Sequence, residues 1–439
     1  MGQSYPGRGR GNREAPGPRA PYAAGLVSRV LEVVAPSRLG AGFRWLLASS
    51  WTSNLGDGIG LAAGPLLVAS QTDEEFLVAL AALMVWLPPL LFGLWAGALA
   101  DRLDRRLLVV AVDLARAVVL AVLALAVATG AVSIALVLGA LFLLGTAEVF
   151  ADSASQTLLP MVVDRDDLGI GNARLQTGLI TLNQLAGPPV GAALFAAGST
   201  SPFVAQAVLV ALGAVLVAKV AVSHHRPEGP PTTRLRADIA EGFRWVWRHA
   251  AVRTLVLTIL IFNVTFGAAW SVLVLYATEH LGLGAIGFGL TTTVSAVGAL
   301  LGTAAYGRIT RHVSLGDLMR IGLVVETLTH LALASTSSPY VALPVFFVFG
   351  VHASVWGTTS TTIRQRAVPT ELQGRVGSVN VVGVFGGLVV GAGIGGVLAQ
   401  HGGVTAPFWF AFAGSAVFVV LLWRQLSHIA HEDDPVAVV

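Results

Sequence analysis

Ionisable side chains lie inside the long apolar stretches of this 439-residue sequence, and they are the first candidates for chemistry. A charge in hydrocarbon is costly, so an ionisable residue in such a stretch is by default a functional hypothesis. Residues three or four apart share one face of a helix, and several candidates have that spacing. The ionisable candidates are Asp57, Asp113, Arg116, Glu148, Asp152, Glu326, His330 and His352. Asn54, Trp270 and Trp356 are further candidates as polar or aromatic residues of the same apolar stretches.

Proton binding is the chemistry that the two carboxyls Asp57 and Glu148 suggest. Neither has an opposite charge close by in the sequence, so either could take up a proton near neutral pH. The alternative for both is a neutral, hydrogen-bonded structural role. Asp113 and Arg116 neutralise each other, which favours a structural pair, although Arg116 could instead reach Glu148. Asp152 lies one turn after Glu148 on the same predicted helix face.

A second group of candidates lies later in the chain. Glu326 and His330 are four residues apart and form a further possible site of proton coupling. Trp270, His352 and Trp356 could line an apolar cavity, but aromatic residues in helices are more often part of the packed core.

Several other kinds of site are excluded. The sequence contains no cysteine, which excludes disulfides, thiolate metal sites and thiol nucleophiles. No HExxH motif or other metal-ligand spacing lies in the apolar stretches. The single lysine, Lys219, stands in no Walker motif, so ATP is not the direct energy source. We therefore expect neither an enzyme, such as an intramembrane hydrolase, nor a bound cofactor or metal.

The composition indicates a membrane protein. Hydrophobic residues make up 55% of the chain and charged residues only 12%, with a mean hydropathy of +0.75. A soluble protein carries about 25% charged residues. Twelve apolar segments are each long enough to cross a bilayer. We predict helices at 43–70, 76–100, 106–128, 132–156, 169–197, 203–222, 251–278, 285–307, 317–335, 340–363, 374–399 and 405–424.

The basic residues predict the orientation of these helices. The six alternate connections at 71–75, 129–131, 198–202, 279–284, 336–339 and 400–404 contain no Arg or Lys. All basic residues except Arg116 lie in the tails, in the other connections or at the helix ends beside them. By the positive-inside rule, both termini are cytoplasmic and the protein lies in the cytoplasmic membrane.

The hydrophilic stretches divide the chain into five parts. A Gly-, Pro- and Arg-rich tail (1–42) is expected to be disordered and solvated rather than to bind nucleic acid. Six helices (43–222), a cytoplasmic linker (223–250), six more helices (251–424) and a cytoplasmic tail (425–439) follow. Within the linker, 237–249 predicts an amphipathic helix in the membrane interface, either a brace between the halves or a simple connection.

The two sets of six helices repeat one another. Residues 167–198 align without a gap onto 371–402, which matches Gly187 with Gly391 and Gly191 with Gly395. A repeat of this kind is typical of transporters built from two equivalent halves. The sequence GALADRLDRR at 97–106 also returns, in degraded form, at 302–311.

These features resemble the major facilitator superfamily over residues 43–424. GALADRLDRR is similar to its cytoplasmic signature, Gly-x-x-x-Asp-Arg-x-Gly-Arg-Arg, with Asp104 in place of the second Gly. The resemblance implies twelve helices in two pseudo-symmetric bundles and a latch between the halves on the cytoplasmic side. The latch residues that it implies are Gly97, Asp101, Arg102, Arg105 and Arg106, and Arg375 is an additional partner at the start of helix 11. Plain anchoring at the membrane surface is the alternative, which we favour for Arg106 alone.

Three stretches narrow the resemblance to the drug:proton antiporter branch, which contains macrolide and siderophore exporters: Asn54-Leu-Gly-Asp57 in helix 1, EGFRWVW in the linker and ELQGRVGS at 371–378. In helix 5, Gly187, Pro188, Pro189 and Gly191 are similar to the antiporter signature of drug exporters, Gly-Pro-x-x-Gly-Gly, with Ala192 in place of the final Gly. The resemblance implies a hinge at which one half rocks over the other. The chain departs from many proton-coupled exporters in helix 4, where Glu148 stands in a region that usually carries an Arg. The coupling mechanism is therefore not carried over.

The resemblance implies export of a hydrophobic or amphipathic small molecule by proton antiport with alternating access. Its partners are then the substrate, protons and the lipid bilayer, and we expect a monomer. Proton-coupled uptake of a small nutrient on the same fold is the alternative.

Overall fold

The chain folds almost entirely into helices. The computed structural model describes residues 32, 34–100, 103–221 and 235–429, and no β-strand occurs within those ranges. We number the long helices of that part α1 to α12 in chain order. They are α1 (Gly40–Gln71), α2 (Glu75–Ala100), α3 (Arg105–Ala128), α4 (Ile134–Ser155), α5 (168–197), α6 (Ser201–Ala218), α7 (Ala250–Trp270), α8 (Gly284–Ile309), α9 (Leu315–Ser335), α10 (Pro339–Ala367), α11 (Gln373–Gly402) and α12 (Ala406–Ile429).

Within the described ranges, eleven helices are long and apolar enough to cross a membrane. α1 has the length, at 32 residues, but carries a polar stretch at 49–57. Its polar side chains face protein, because Ser49 donates a hydrogen bond to the Gly213 carbonyl of α6 over 2.8 Å. With α1 packed inside the bundle, the chain is an all-α membrane protein of twelve transmembrane helices, as predicted.

Two helices differ from their predicted course. Predicted helix 6 (203–222) ends at Ala218, where the Lys219 amide closes a tight turn onto the Leu216 carbonyl. Predicted helix 7 (251–278) breaks after Trp270 and resumes as Leu273–Leu275 and a π-helical turn, Tyr276–His280. Hydropathy cannot detect either end, because the residues beyond it are still largely apolar.

α5 also changes its hydrogen-bond pattern along its length. It begins as an α-helix (Leu168–Gly178), continues as a π-helix (Leu179–Ala186) and ends as an α-helix (Gly187–Ala197). π-helical segments are uncommon and occur often at functional sites. The predicted hinge begins at Gly187, directly after the last residue of the π-helix.

The sequence repeat corresponds to a repeated helix contact. α1 packs on α5, and α7 packs on α11. A side chain at Gly187 or Gly191 would meet the α1 backbone at Gly58 and Ile59. At the matched positions, a side chain at Gly391 or Gly395 would meet the backbone of α7. The matched pairs of helices are thus in backbone contact in both halves, which only glycine permits at these positions.

The two ends of the bundle differ in how the halves meet. We call the end with the 71–75 connection the loop side, and the opposite end the linker side. On the loop side one buried core spans both halves and includes Leu66, Phe203, Phe346 and Phe408. On the linker side the buried clusters are separate, around Phe43 in the first half and around Leu255 and Val376 in the second. The halves are therefore packed together on the loop side and apart on the linker side.

A linker helix, Leu235–Arg248, lies on the linker side where 237–249 predicted it. It packs on α11 and α7, both of the second half. Gly242 lies against the Arg375 backbone, where an added Cβ would be 2.5 Å from the Arg375 carbonyl oxygen. Arg375 Nη1 and Glu241 Oε1 are 2.9 Å apart. These contacts fasten the linker helix to the second half.

Candidate functional site

The first half contains a buried ion-pair cluster around Arg116. This guanidinium is 4% exposed and donates to Asp113 Oδ1 over 3.1 Å on its own helix, α3. It also donates to the carboxylate of Asp57 on α1. The predicted pair of Asp113 and Arg116 is therefore present. No opposite charge lies near Asp57 in the sequence, but the fold supplies one, because the side chain of Arg116 on α3 reaches Asp57 from 59 positions away.

Two further carboxyls, Glu148 and Asp152 on α4, lie in the electrostatic field of this cluster. Glu148 interacts with Asp57 and Arg116, and Asp152 does as well. The side chain of Glu148 is half-buried and that of Asp152 is exposed, whereas Asp113 is 3% exposed. In the described part of the chain, neither α4 carboxyl makes a hydrogen bond or an ion pair. The predicted contact between Arg116 and Glu148 is thus electrostatic and not a bonded pair.

The second half contains a different buried cluster, on α9 and α10. His330 Nε2 lies 2.8 Å from Glu326 Oε1, and His352 Nε2 lies 3.4 Å from Glu326 Oε2. Glu326 and His330 are fully buried, and His352 is 7% exposed. The predicted i,i+4 pair is present, and α10 adds a second imidazole to the same carboxylate.

Aromatic rings pack against the histidines of this cluster. Phe262 and Trp356 stack with centroids 4.7 Å apart, and Phe266 stacks on Trp270 at 4.4 Å. Trp270 packs edge-on against His330, with centroids 5.9 Å apart. The aromatic panel, as we call it, consists of Phe262, Phe266, Trp270, Phe349 and Trp356.

A cavity of about 350 Å³ lies against this panel on α7, α10 and α11. Ligand cavities in proteins commonly measure about 300–1,000 Å³. The cavity extends toward the linker side, to Arg364 near the end of α10. Its walls are Ile259, Phe262, Asn263, Phe266, Phe349, Ala353, Trp356, Gly357, Ser360, Thr361, Arg364, Asn380 and Val384. Trp356 therefore lines the cavity, whereas Trp270 and His352 are not part of its wall.

Asn54 does not contact the buried charges. Its Nδ2 donates to the Ser50 carbonyl of the same helix over 2.8 Å. Asn263, at a similar place on α7, donates to the Ile259 carbonyl over 2.7 Å. Both amides satisfy the carbonyl one turn earlier on their own helix.

The hinge residues of α5 do not all face the other half. Gly187 and Gly191 contact α1 of their own half, so their predicted position between the halves is corrected. Within this motif, Pro188 and Pro189 meet the other half instead, since an added Cβ on Gly289 of α8 would lie 2.8 Å from the Pro188 carbonyl oxygen. The helix periodicity puts the glycines and the prolines on different faces.

One hydrogen bond joins the halves at this point. Thr293 Oγ1 of α8 donates to the Leu185 carbonyl in the π-helix over 3.1 Å. Pro189 has no N–H and cannot donate to this carbonyl in the α-helical pattern. The same hydroxyl lies 3.3 Å from the Gly289 carbonyl of its own helix, which offers it an alternative acceptor.

Known proteins agree with this architecture. The profile of the family MFS_3, described as transmembrane secretion effector, matches residues 33–435. The chain belongs to this family. It is 29% identical over 387 residues to the multidrug efflux pump Tap of Mycolicibacterium fortuitum, covering 83% of this chain and 90% of that one. It is 21% identical over 369 residues to macrolide efflux protein A of Streptococcus pyogenes, covering 81% and 88%.

Solved structures share the fold at low sequence identity. The nucleoside transporter NupG has a TM-score of 0.70 and 11% identity, with 90% of this chain and 100% of that one covered. A bacterial homologue of the iron transporter ferroportin in an inward-facing state has a TM-score of 0.67 and 17% identity, with 88% and 98% covered. The chain is therefore a multi-pass membrane transporter with the major facilitator fold.

The superfamily signature between α2 and α3 is only partly within the described chain. Asp101 and Arg102 lie outside the described residues, and Gly97 is exposed. Arg105 donates to the Met161 sulfur over 3.6 Å. Arg106 donates to the Val220 carbonyl over 3.2 Å, and both contacts are within the first half.

Asp104 explains the departure from the signature. Its carboxylate accepts a hydrogen bond from the Leu107 amide over 3.0 Å and caps the first turn of α3. An aspartate at this position satisfies an amide that has no partner in the helix.

Sequence reasoning missed Phe262, Phe266 and Phe349 in the panel, Arg364 at the cavity and Thr293 between the halves. A signal existed for two of them, because Phe262, Phe266 and Trp270 recur at four-residue spacing on one helix face. Arg364 and Thr293 had none, since their neighbours come from other helices.

Proposed function

We propose that the chain exports a hydrophobic or amphipathic small molecule across the cytoplasmic membrane in exchange for protons. The names of its relatives, a multidrug efflux pump and a macrolide efflux protein, support the direction of transport and the kind of cargo. The cavity supports it too, because more than half of its wall residues are aromatic or aliphatic and the rest give it a polar part, as an amphipathic cargo requires.

In this proposal the linker side faces the cytoplasm. The basic residues support this orientation, since the loop-side connections carry none. The continuous loop-side core then closes the outside, and the cavity is loaded from the cytoplasm, as an exporter requires. Alternating access would require this core to open while the linker-side ends of the helices close. Asp101 and Arg102 would then hold the linker-side ends together in that second state.

The observation that carries proton exchange is the charge imbalance around Arg116. Four carboxyls, Asp57, Asp113, Glu148 and Asp152, interact electrostatically with this one guanidinium. If all four were ionised, three negative charges would be uncompensated inside the membrane domain. Mutual repulsion and burial both favour protonation of part of the group.

The exposure of the four carboxyls supports a particular division of roles. Asp57 and Asp113 bind Arg116 and hold it in place. Glu148 makes no bond of this kind in the described part of the chain and is half-buried. We assign the exchangeable proton to Glu148, with Asp152 one turn nearer the linker side as its relay to the cytoplasm. Asp57 is the second candidate carrier.

The second half supplies the substrate wall in this proposal. The aromatic panel contacts the cargo. Glu326 fixes His330 and His352, which pack against Trp270 and Phe349 of the panel. The α5 residues Pro188 and Pro189 form the surface on which α8 moves, and Gly187 and Gly191 keep α5 fixed to α1.

The test uses the full chain in everted membrane vesicles that carry an acid-inside pH gradient. A macrolide and other drugs are added, and a pH-sensitive dye reports proton release. We expect a transported drug to dissipate the gradient with the unaltered chain and not with Glu148→Gln, because the amide binds no proton. Glu74→Gln, at an exposed loop-side carboxyl, is the matched control and should behave like the unaltered chain.

Two results would contradict parts of this proposal. Drug-induced proton release that persists in Glu148→Gln would remove Glu148 as the carrier and direct the same assay to Asp57→Asn. Energised accumulation of drug inside intact cells, in place of extrusion, would replace export by uptake.

A further inference from the structure

The cavity against the aromatic panel has one charged residue in its described wall, Arg364. Arg364 lies three residues before the linker-side end of α10 and is half-buried. Within the described part of the chain its side chain makes no hydrogen bond and no ion pair. By contrast, Arg320 and Arg375 bind Asp317 and Glu241 respectively. A guanidinium beside a cavity without a counter-charge is a ready partner for an anion.

The opposite end of the cavity is suited to an apolar body. Phe262 and Trp356 lie there as stacked rings, and Ile259 and Val384 extend the apolar surface. The amide oxygen of Asn380 is buried without a hydrogen-bond partner in the described chain. An Asn amide can also be turned to present its N–H groups, so this side chain adds a potential donor between the rings and Arg364.

The acidic cluster of the first half does not cancel this charge. Asp57 and Asp113 are bound to Arg116, and none of the four carboxyls is part of the cavity wall. A cationic ligand in the cavity would face Arg364 without a carboxylate to balance it. A neutral ligand would leave the guanidinium without a partner.

We propose that the cavity binds an amphipathic organic anion, with its acid group on Arg364 and its hydrophobic body against Phe262 and Trp356. A planar carboxylate or sulfonate fits best, because a guanidinium pairs with such groups through two parallel hydrogen bonds. The proposal deepens the proposed function and rests on it for the direction of transport. The inside-negative membrane potential would then assist export, since it drives an anion outward.

The test is binding of three matched naphthalene probes to the purified full chain in neutral phosphatidylcholine nanodiscs. The probes are 2-naphthoate, 2-naphthamide and 2-naphthylmethylammonium, which share one body and differ in charge. Titration calorimetry measures each affinity. We expect 2-naphthoate to bind at least tenfold more tightly than either other probe.

Four variants locate the effect. Arg364→Gln should abolish the preference for the anion. Arg364→Lys should keep part of it, because an ammonium supplies the charge without the two parallel hydrogen bonds of a guanidinium. Arg366→Gln is the matched control, since Arg366 lies in the same helical turn but is exposed and not part of the cavity wall. Phe262→Ala should weaken all three probes by a similar factor.

The outcomes separate this proposal from the proposed function. Equal or weaker binding of 2-naphthoate than of 2-naphthamide to the unaltered chain overturns the anion site, whatever the vesicle assay gives. An anion preference that survives in Arg364→Gln overturns it as well. Loss of drug-driven proton release alone, with the anion preference intact, would reject proton antiport and leave the site standing.

Discussion

The two halves of this transporter both contain a charge cluster, but the clusters have opposite compositions. The first has one guanidinium among four carboxyls, and one of those carboxyls is exposed. The second has one carboxylate between two imidazoles, and all three are almost fully buried. The glycine contacts of α1 with α5 and of α7 with α11 are the same in both halves. The two halves thus share their helix packing but differ in their charge clusters. The first cluster is suited to exchange protons, and the second is suited to fix the aromatic panel at the cavity wall.

The largest effect should come from removing Arg116. Arg116→Leu leaves Asp57 and Asp113 buried without a counter-charge, which costs about 3–5 kcal/mol for a broken buried pair. We expect a large fall in the thermal unfolding temperature in detergent. Arg38→Leu, which breaks a 3.4 Å ion pair between Asp167 and an exposed Arg38, is the control and should cost about 0–1 kcal/mol. If both variants unfold at the same temperature, the first cluster is not a structural hub.

A smaller effect is expected at the centre of the second cluster. Glu326→Gln keeps an acceptor for one imidazole but loses the charge, so the free energy of unfolding should fall by about 1–3 kcal/mol. Drug-driven proton release should persist in this variant, unlike in Glu148→Gln. Loss of proton release with an unchanged unfolding temperature would reverse the roles of the two clusters.

The smallest effect concerns the contact between the halves. Thr293→Val removes the donor to the Leu185 carbonyl and should destabilise the loop-side-closed state by about 1 kcal/mol, or about fivefold in population. Because the chain has no cysteine, spin labels on an introduced pair can report loop-side opening without background. Thr303→Val, whose hydroxyl bonds only within α8 in the described chain, is the control. An unchanged distance distribution would show that this bond does not bias the equilibrium.

The sequence predicts contacts within one helix better than contacts between helices. Asp113 with Arg116 and Glu326 with His330 followed directly from helical spacing, and both pairs are present. Asp57 with Arg116 and Glu326 with His352 could not be foreseen, because each depends on how two helices are rotated and crossed. The twelve spans were predictable for a related reason, since hydropathy is a property of each segment by itself. The break after Trp270 was not, because the residues on both sides are apolar.

The contacts of the hinge residues were also not predictable, because they too depend on neighbouring helices. Glycine and proline at 187–191 indicate a special helix, but only the packed structure separates the glycine face on α1 from the proline face on α8. The functional interpretation of such a motif depends on which neighbour each residue meets.

The linker helix has a consequence for how the two halves are joined. Glu241 and Gly242 fasten it to α11, so it moves with the second half. The covalent connection between the halves is then the stretch between α6 and this helix, and it contributes a high local concentration of one half near the other. A protein made as two separate chains, divided within 222–234 and leaving the linker helix on the second, would keep every contact that holds the halves together on the loop side. Without the covalent link, the fraction of assembled transporter would depend on the concentrations of the two chains. In the single chain the local concentration set by the linker replaces this dependence.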